Sequence, residues 1–167
     1  MLKFLLMLTF RPLLTALLLL GTTLTATAQT GKPSADQAAF QKGTFTGATA
    51  DKSHYHVVYQ LDSDDPKLIK MTLRNLKNAL DDPRLKGKLQ AELVAYAGGV
   101  TVFRKDQPYE AELLALKAQG VILAECLNTM KERNISKDEL FPFISYVPTG
   151  NGELIIRQAQ GWAIVHP

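Results

Sequence analysis

From residue 53 onward, short β-branched or apolar runs alternate with longer stretches at helical spacing. Tyr55 to Leu61, YHVVYQL, predicts a strand. Asp65 and Pro66 then open a helix, one as a capping side chain and the other with its φ already set for the first turn. Ile69, Leu73, Leu76 and Leu80 recur on one face of that helix before Asp81, Asp82 and Pro83 stop it. Leu89 to Tyr96 predicts a second strand, broken by Gly98 and Gly99. A helix from about Pro108 to Gln119 turns Tyr109, Leu113 and Leu116 inward and ends at Gly120. Val121 to Ala124 is apolar throughout, as a strand covered on both faces must be. Leu127 to Arg133 predicts a short helix, and Ser136 to Glu139 carries a capping box. Phe143 to Val147, Asn151 to Gln160 (closed by Gly161) and Trp162 to Val165 predict a strand, a helix and a fifth strand. Strands alternating with helices predict an α/β domain over residues 53–167, a three-layer sandwich around a mostly parallel five-stranded sheet.

The pattern upstream is different. Lys3 and Arg11 precede the run from Pro12 to Leu20, which leads to Ala26-Thr27-Ala28. Positive charge, a short apolar centre and small residues at the end predict a secretory signal peptide over residues 1–28, cleaved after Ala28. Arg11 and then Gly21 interrupt the run, which falls short of the roughly 20 apolar residues of a spanning helix. The expectation is a periplasmic or secreted protein with no stable membrane span after cleavage. Residues 29–52 are rich in small and polar residues, with Phe40 and Phe45 as the large apolar ones, and read as a flexible arm or linker.

Charge narrows the function. The formal net charge is +3, and two of the 19 cations, Lys3 and Arg11, belong to the signal segment. The remaining Lys and Arg residues are interspersed with Asp and Glu, so no basic face points to nucleic acid. Cys126 is the single cysteine, which excludes an internal disulfide and a Cys-x-x-Cys redox cycle. The sequence contains no phosphate-binding loop motif, no Gly-x-Ser-x-Gly and no His-Glu-x-x-His, and it predicts no cofactor. His54 and His56 would make a metal site only if Cys126 and His166 converged on them, and no metal is expected.

Cys126 is the candidate for chemistry. It lies where the third strand runs into the following helix, an edge at which open α/β sheets bind ligands. The amides of a helix N-terminus favour a thiolate there and make it a better nucleophile. Asn128 and Thr129, in the first turn, are candidates to donate hydrogen bonds to the sulfur or to a bound anion. Gly98 and Gly99 follow the neighbouring strand and are candidates to bring backbone amides to the same edge, or else form an ordinary turn needing positive φ. The competing reading of Cys126 is a small buried apolar residue.

Three stretches carry a resemblance. Ala118 to Met130, AQGVILAECLNTM, is similar to the cysteine motif of DsrE/DsrF-like proteins. Leu93 to Val100 looks like that family's second strand and glycine turn, with Ala97 where family members often have glycine. Val147 to Gly150 and Glu153 to Ala163 look like its last strand, helix and strand. The resemblance implies a five-stranded α/β fold, assembly as a homotrimer or hexamer, and a cysteine able to carry sulfur to or from a partner protein. Two further readings remain beside it: an oligomeric module that binds a small ligand or partner at the same edge, and flavodoxin-like nucleotide binding by analogy of fold.

Overall fold

The structure is a computed structural model that describes residues 34–167, so the proposed signal peptide lies outside the described residues. Two compact units divide between Thr46 and Gly47. The first contains α1 (Ala35–Gln41), which the sequence reading did not assign within its arm. Ser34 Oγ caps it by accepting from the Gln37 amide at 3.2 Å, and Asp36 lies in its first turn. No residue of α1 is buried, so it leaves no apolar stripe to read.

The second unit contains β1 (Tyr55–Leu61), α2 (Pro66–Asp81), β2 (Leu89–Ala95), a 3-10 stretch (Ala97–Phe103), α3 (Glu110–Ala118) and β3 (Ile122–Cys126). It continues with α4 (Leu127–Glu132), a 3-10 turn (Lys137–Glu139), β4 (Ser145–Val147), α5 (Gly150–Ala159) and β5 (Ala163–Val165). The sheet order is β4-β3-β2-β1-β5 and every pairing is parallel. The chain steps outward from β1 to β4 and then returns past β1 to place β5. Right-handed crossovers therefore put α2, α3 and α4 on one face and α5 on the other.

The two cores follow that division. Val57, Tyr59, Leu61, Leu93 and Leu123 pack under Ile69, Leu73 and Leu76 of α2, Leu113 and Leu116 of α3, and Met130 of α4. Each such aliphatic side chain contributes about 1.5–3 kcal/mol on burial. Val58, Val94 and Ala124 face the opposite way, against Leu154 of α5 and Trp162. Arg157 fastens α5 to that face: its Nε lies 2.6 Å from Glu92 Oε2 and 2.9 Å from Glu153 Oε1, and its guanidinium stacks 4.2 Å from the Trp162 ring. Asp65 caps α2 through the Lys67 amide, with Pro66 in the first turn, and Ser136 with Glu139 completes the expected capping box. Among the described residues, no helix is long and apolar enough to cross a membrane.

Candidate functional site

Cys126 is at once the last residue of β3 and the N-cap of α4, with φ −77° and ψ 113°. Strand passes to helix without a loop, which holds the side chain over the amides of the first turn. Its Sγ accepts from the Thr129 amide at 3.4 Å. The Thr129 hydroxyl and the backbone amides of Gly150, the first residue of α5, and of Asn128 also favour the anionic sulfur, although the Thr129 amide alone makes a hydrogen bond to it. The sulfur thus faces the amino ends of two helices, where amides without intrahelical partners concentrate partial positive charge.

Only 4% of Cys126 is exposed. That burial pushes the thiol up. The Thr129 hydroxyl and amide, and after them the Gly150 and Asn128 amides, outweigh it and hold the thiol below its ordinary value.

Gly150 reaches the sulfur because it has no side chain. A Cβ there would stand 2.9 Å from Cβ and Cδ1 of Tyr96. Tyr96 directly follows Ala95, the register partner of Glu125, so Tyr96 and Cys126 stand side by side on neighbouring strands. Thr149 caps α5 by accepting from the Gly152 amide at 3.0 Å. The Thr149-Gly150 step after a strand was a readable cap signal. That the Gly150 amide meets Cys126 depends on the β3–β4 register, which the sequence does not show.

Of the other candidates, Thr129 lies at the sulfur as expected, whereas Asn128, Gly98 and Gly99 are placed differently. Thr129 is buried, and its Oγ1 accepts from the Ala97 amide at 2.9 Å, joining the cysteine turn to the glycine turn. The Asn128 side chain turns away and donates to Glu132 Oε1 at 2.7 Å, leaving only its backbone at the sulfur. Gly98 and Gly99 are buried with both amides already used: Gly98 donates to the Asp62 carbonyl at 2.9 Å and Gly99 to the Tyr96 carbonyl at 2.8 Å. Neither has positive φ. They are glycines because the 3-10 stretch packs directly on the loop after β1, where a Cβ on Gly99 would overlap the Leu61 carbonyl oxygen. The left-handed residue is Ala97, at φ +48°.

His54 precedes β1, the His56 ring packs 5.1 Å from Trp162, and His166 Nε2 lies 3.3 Å from Asp62 Oδ1. Among the described residues no three His, Cys, Asp or Glu side chains come together as metal ligands. The reversal of strand order lies between β1 and β5, two strands away from Cys126, so the thiol shares the ligand-binding edge of the sheet without occupying its switch point.

One buried group escaped the sequence reading. Glu125 alternates to the opposite face from Cys126, into the larger core, with 0% exposure and no hydrogen-bond partner for either carboxylate oxygen. Burial, and after it the adjacent sulfur, push its carboxyl up to about 9. The Cys126 amide, too poorly placed for a hydrogen bond, and Arg133 oppose this only in part. A lone acid inside VILAEC was the available signal, obscured by the run's position at the end of a strand.

The comparisons with known proteins agree with this architecture. MTH1491 of Methanobacterium thermoautotrophicum, described as a protein of unknown function, is 33% identical, with a TM-score of 0.64 over 68% of this chain and 99% of its own. The ychN protein of E. coli shares the fold at 17% identity and a TM-score of 0.56, covering 70% of this chain and 100% of its own. BT1422 of Bacteroides thetaiotaomicron, a conserved protein of unknown function, does so at 12% and 0.54, covering 72% of this chain and 100% of its own. The curated proteins hold no significant match. The DsrE/DsrF-like family profile matches residues 52–167, more than half of the sequence, and the chain belongs to that family.

Proposed function

We propose that this protein is an exported sulfur carrier in which Cys126 accepts a sulfane sulfur and passes it to a partner thiol. The observation that carries this reading is the Cys126 sulfur at the N-cap of α4, accepting from the Thr129 amide at 3.4 Å; with the Gly150 amide of α5 adding to it, this favours an anionic thiol despite its burial. In loading, the Cys126 thiolate attacks the outer sulfur of a persulfide donor R–S–SH. The new S–S bond forms as the donor's S–S bond breaks, leaving Cys126–S–SH and R–S⁻ with no net oxidation. The same amides then stabilise the persulfide anion. Thr129 holds the cysteine turn against Ala97, while Gly98 and Gly99 let the 3-10 stretch that begins there approach β1.

The protein acts in the periplasm or outside the cell, after cleavage at Ala28, and assembles as a homotrimer or hexamer. Ile155 and Ile156, exposed on α5 at 68% and 53%, support a covered surface there. The 4% exposure of Cys126 favours one competitor, a packing cysteine inside a binding module.

Intact mass spectrometry of the exported protein after treatment with a sulfane-sulfur donor separates the two. The carrier gains one sulfur atom, loses it to reducing agent and fails to gain it as Cys126→Ala. No gain in the folded wild type makes Cys126 a packing residue. The same spectrum reads the cleavage site.

A further inference from the structure

The carboxyl of Glu125 has no part in the sulfur chemistry just described, and its position is costly. A fully buried carboxylate without hydrogen bonds or a counter-ion loses its hydration for nothing, so the group persists as a neutral acid. Its surroundings explain both its isolation and its reach. On the sheet it lies between Ala95 of β2 and Tyr146 of β4, its register partners. Ala95 carries no polar side-chain atom. Tyr146 is half-buried against the same core, with Lys137 Nζ 4.4 Å from its ring. The charges that act on Glu125 are the Cys126 sulfur one residue on, which resists its ionisation, and Arg133 beyond α4, which assists it. The Tyr146 hydroxyl is pushed up by its burial, then by Glu125 and by Asp138.

We propose that Glu125 and Cys126 titrate as a coupled pair, the anionic sulfur helping to hold the buried Glu125 carboxyl neutral and neutral capping of the sulfur easing the ionisation of that carboxyl. This rests on the reading of Cys126 as an anionic thiol. The two side chains leave opposite faces of one strand, so each feels the other through the sheet without contact. Two charges across the thickness of a strand, at an effective dielectric near 20, shift each other's ionisation by about one pH unit. The coupling is reciprocal. Neutral capping of the thiolate, as by alkylation, therefore moves the ionisation of the carboxyl to lower pH. The core beside Tyr146 then differs in charge between the free and the capped protein near the pH at which Glu125 titrates, and is neutral in both at pH 7.

The test follows the Glu125 carboxyl by NMR in protein carrying ¹³C-labelled glutamate, with Glu125→Gln to assign its signal. Titrations are compared for wild type, wild type capped by iodoacetamide, and Cys126→Ser. The expected result is a Glu125 carboxyl protonated at pH 7 in wild type. Its midpoint falls by about one pH unit both on capping and in Cys126→Ser. A Glu125 already ionised at pH 7 overturns the proposal. So does a midpoint that stays put while the thiol alkylates readily, and that result leaves the carrier reading standing. A thiol that resists alkylation in the folded protein, with an unmoved midpoint in Cys126→Ser, overturns both.

Discussion

Glu125→Gln removes an ionisable group that the folded chain keeps neutral, and its effect on stability can be worked through from the structure. Unfolded, Glu125 ionises near its ordinary value of 4.5; folded, it does so only near 9. Between those values the folded state retains a proton that the unfolded chain gives up. The group's contribution is therefore fully present below pH 4.5 and is lost as pH rises to about 9. Each pH unit in that window costs about 1.4 kcal/mol. At pH 7.5, three units above 4.5, wild type has lost about 4 kcal/mol on this account. Glutamine keeps the shape without the ionisation, and its unmet amide hydrogen bonds cost about 1 kcal/mol at every pH. The variant is accordingly the less stable protein near pH 4.5 and the more stable one above about pH 6. Urea unfolding at intervals from pH 4.5 to 9, with equal m-values, reads this directly. Titrating groups other than Cys126, which is coupled to Glu125, are common to both proteins and cancel in the difference. Parallel stability curves would refute the reasoning, because they would mean that Glu125 ionises alike in the folded and unfolded chain.

Two substitutions test the backbone around the thiol. Ala97→Gly relieves a left-handed alanine at φ +48°. It should raise stability by up to about 1 kcal/mol after glycine's own entropic cost, seen as a Tm higher by a few degrees; an unchanged or lower Tm contradicts the strain. Gly150→Ala forces a Cβ against Tyr96 and moves the α5 amino end off the sulfur. Losing the partial positive charge of that amide should raise the Cys126 thiol by up to about one pH unit in an alkylation profile, and an unmoved profile removes α5 from the site.

The sheet and its helices were legible because burial writes periodicity. The apolar face Ile69, Leu73 and Leu76 of α2 is buried as its spacing required, and the strands appear where β-branched runs stood. The mostly parallel sheet expected from the alternation is parallel throughout. Helix α1 was not legible, since a helix held by a cap and by Ala-rich propensity has no buried stripe. The 3-10 stretch Ala97–Phe103 escaped for a different reason: it buries Val100, Val102 and Phe103 without a helical or strand period. At the site, the sequence located Cys126 and the helix that begins beside it. It did not show that the amino end of α5 also reaches the sulfur, because that contact joins residues brought together only by the β3–β4 pairing. The sequence offers Gly98 and Gly99 as amide donors at the site or as a turn needing positive φ, whereas the structure uses their lack of a side chain against Leu61 and Asp62. Asn128 was read as a donor to the sulfur, but as an exposed side chain it found Glu132 four residues on, the nearest acceptor on its own helix face.

The central claim is that Cys126 is an activated thiol in the folded protein. Its most direct test is the rate of iodoacetamide alkylation of native protein against pH, followed by mass, with the urea-unfolded chain as reference. The account predicts a folded-state midpoint below that of the unfolded thiol, since Thr129, Gly150 and Asn128 stabilise the anion. A midpoint at or above the unfolded value, or alkylation only on unfolding, would contradict it and leave Cys126 as part of the packing beneath α5.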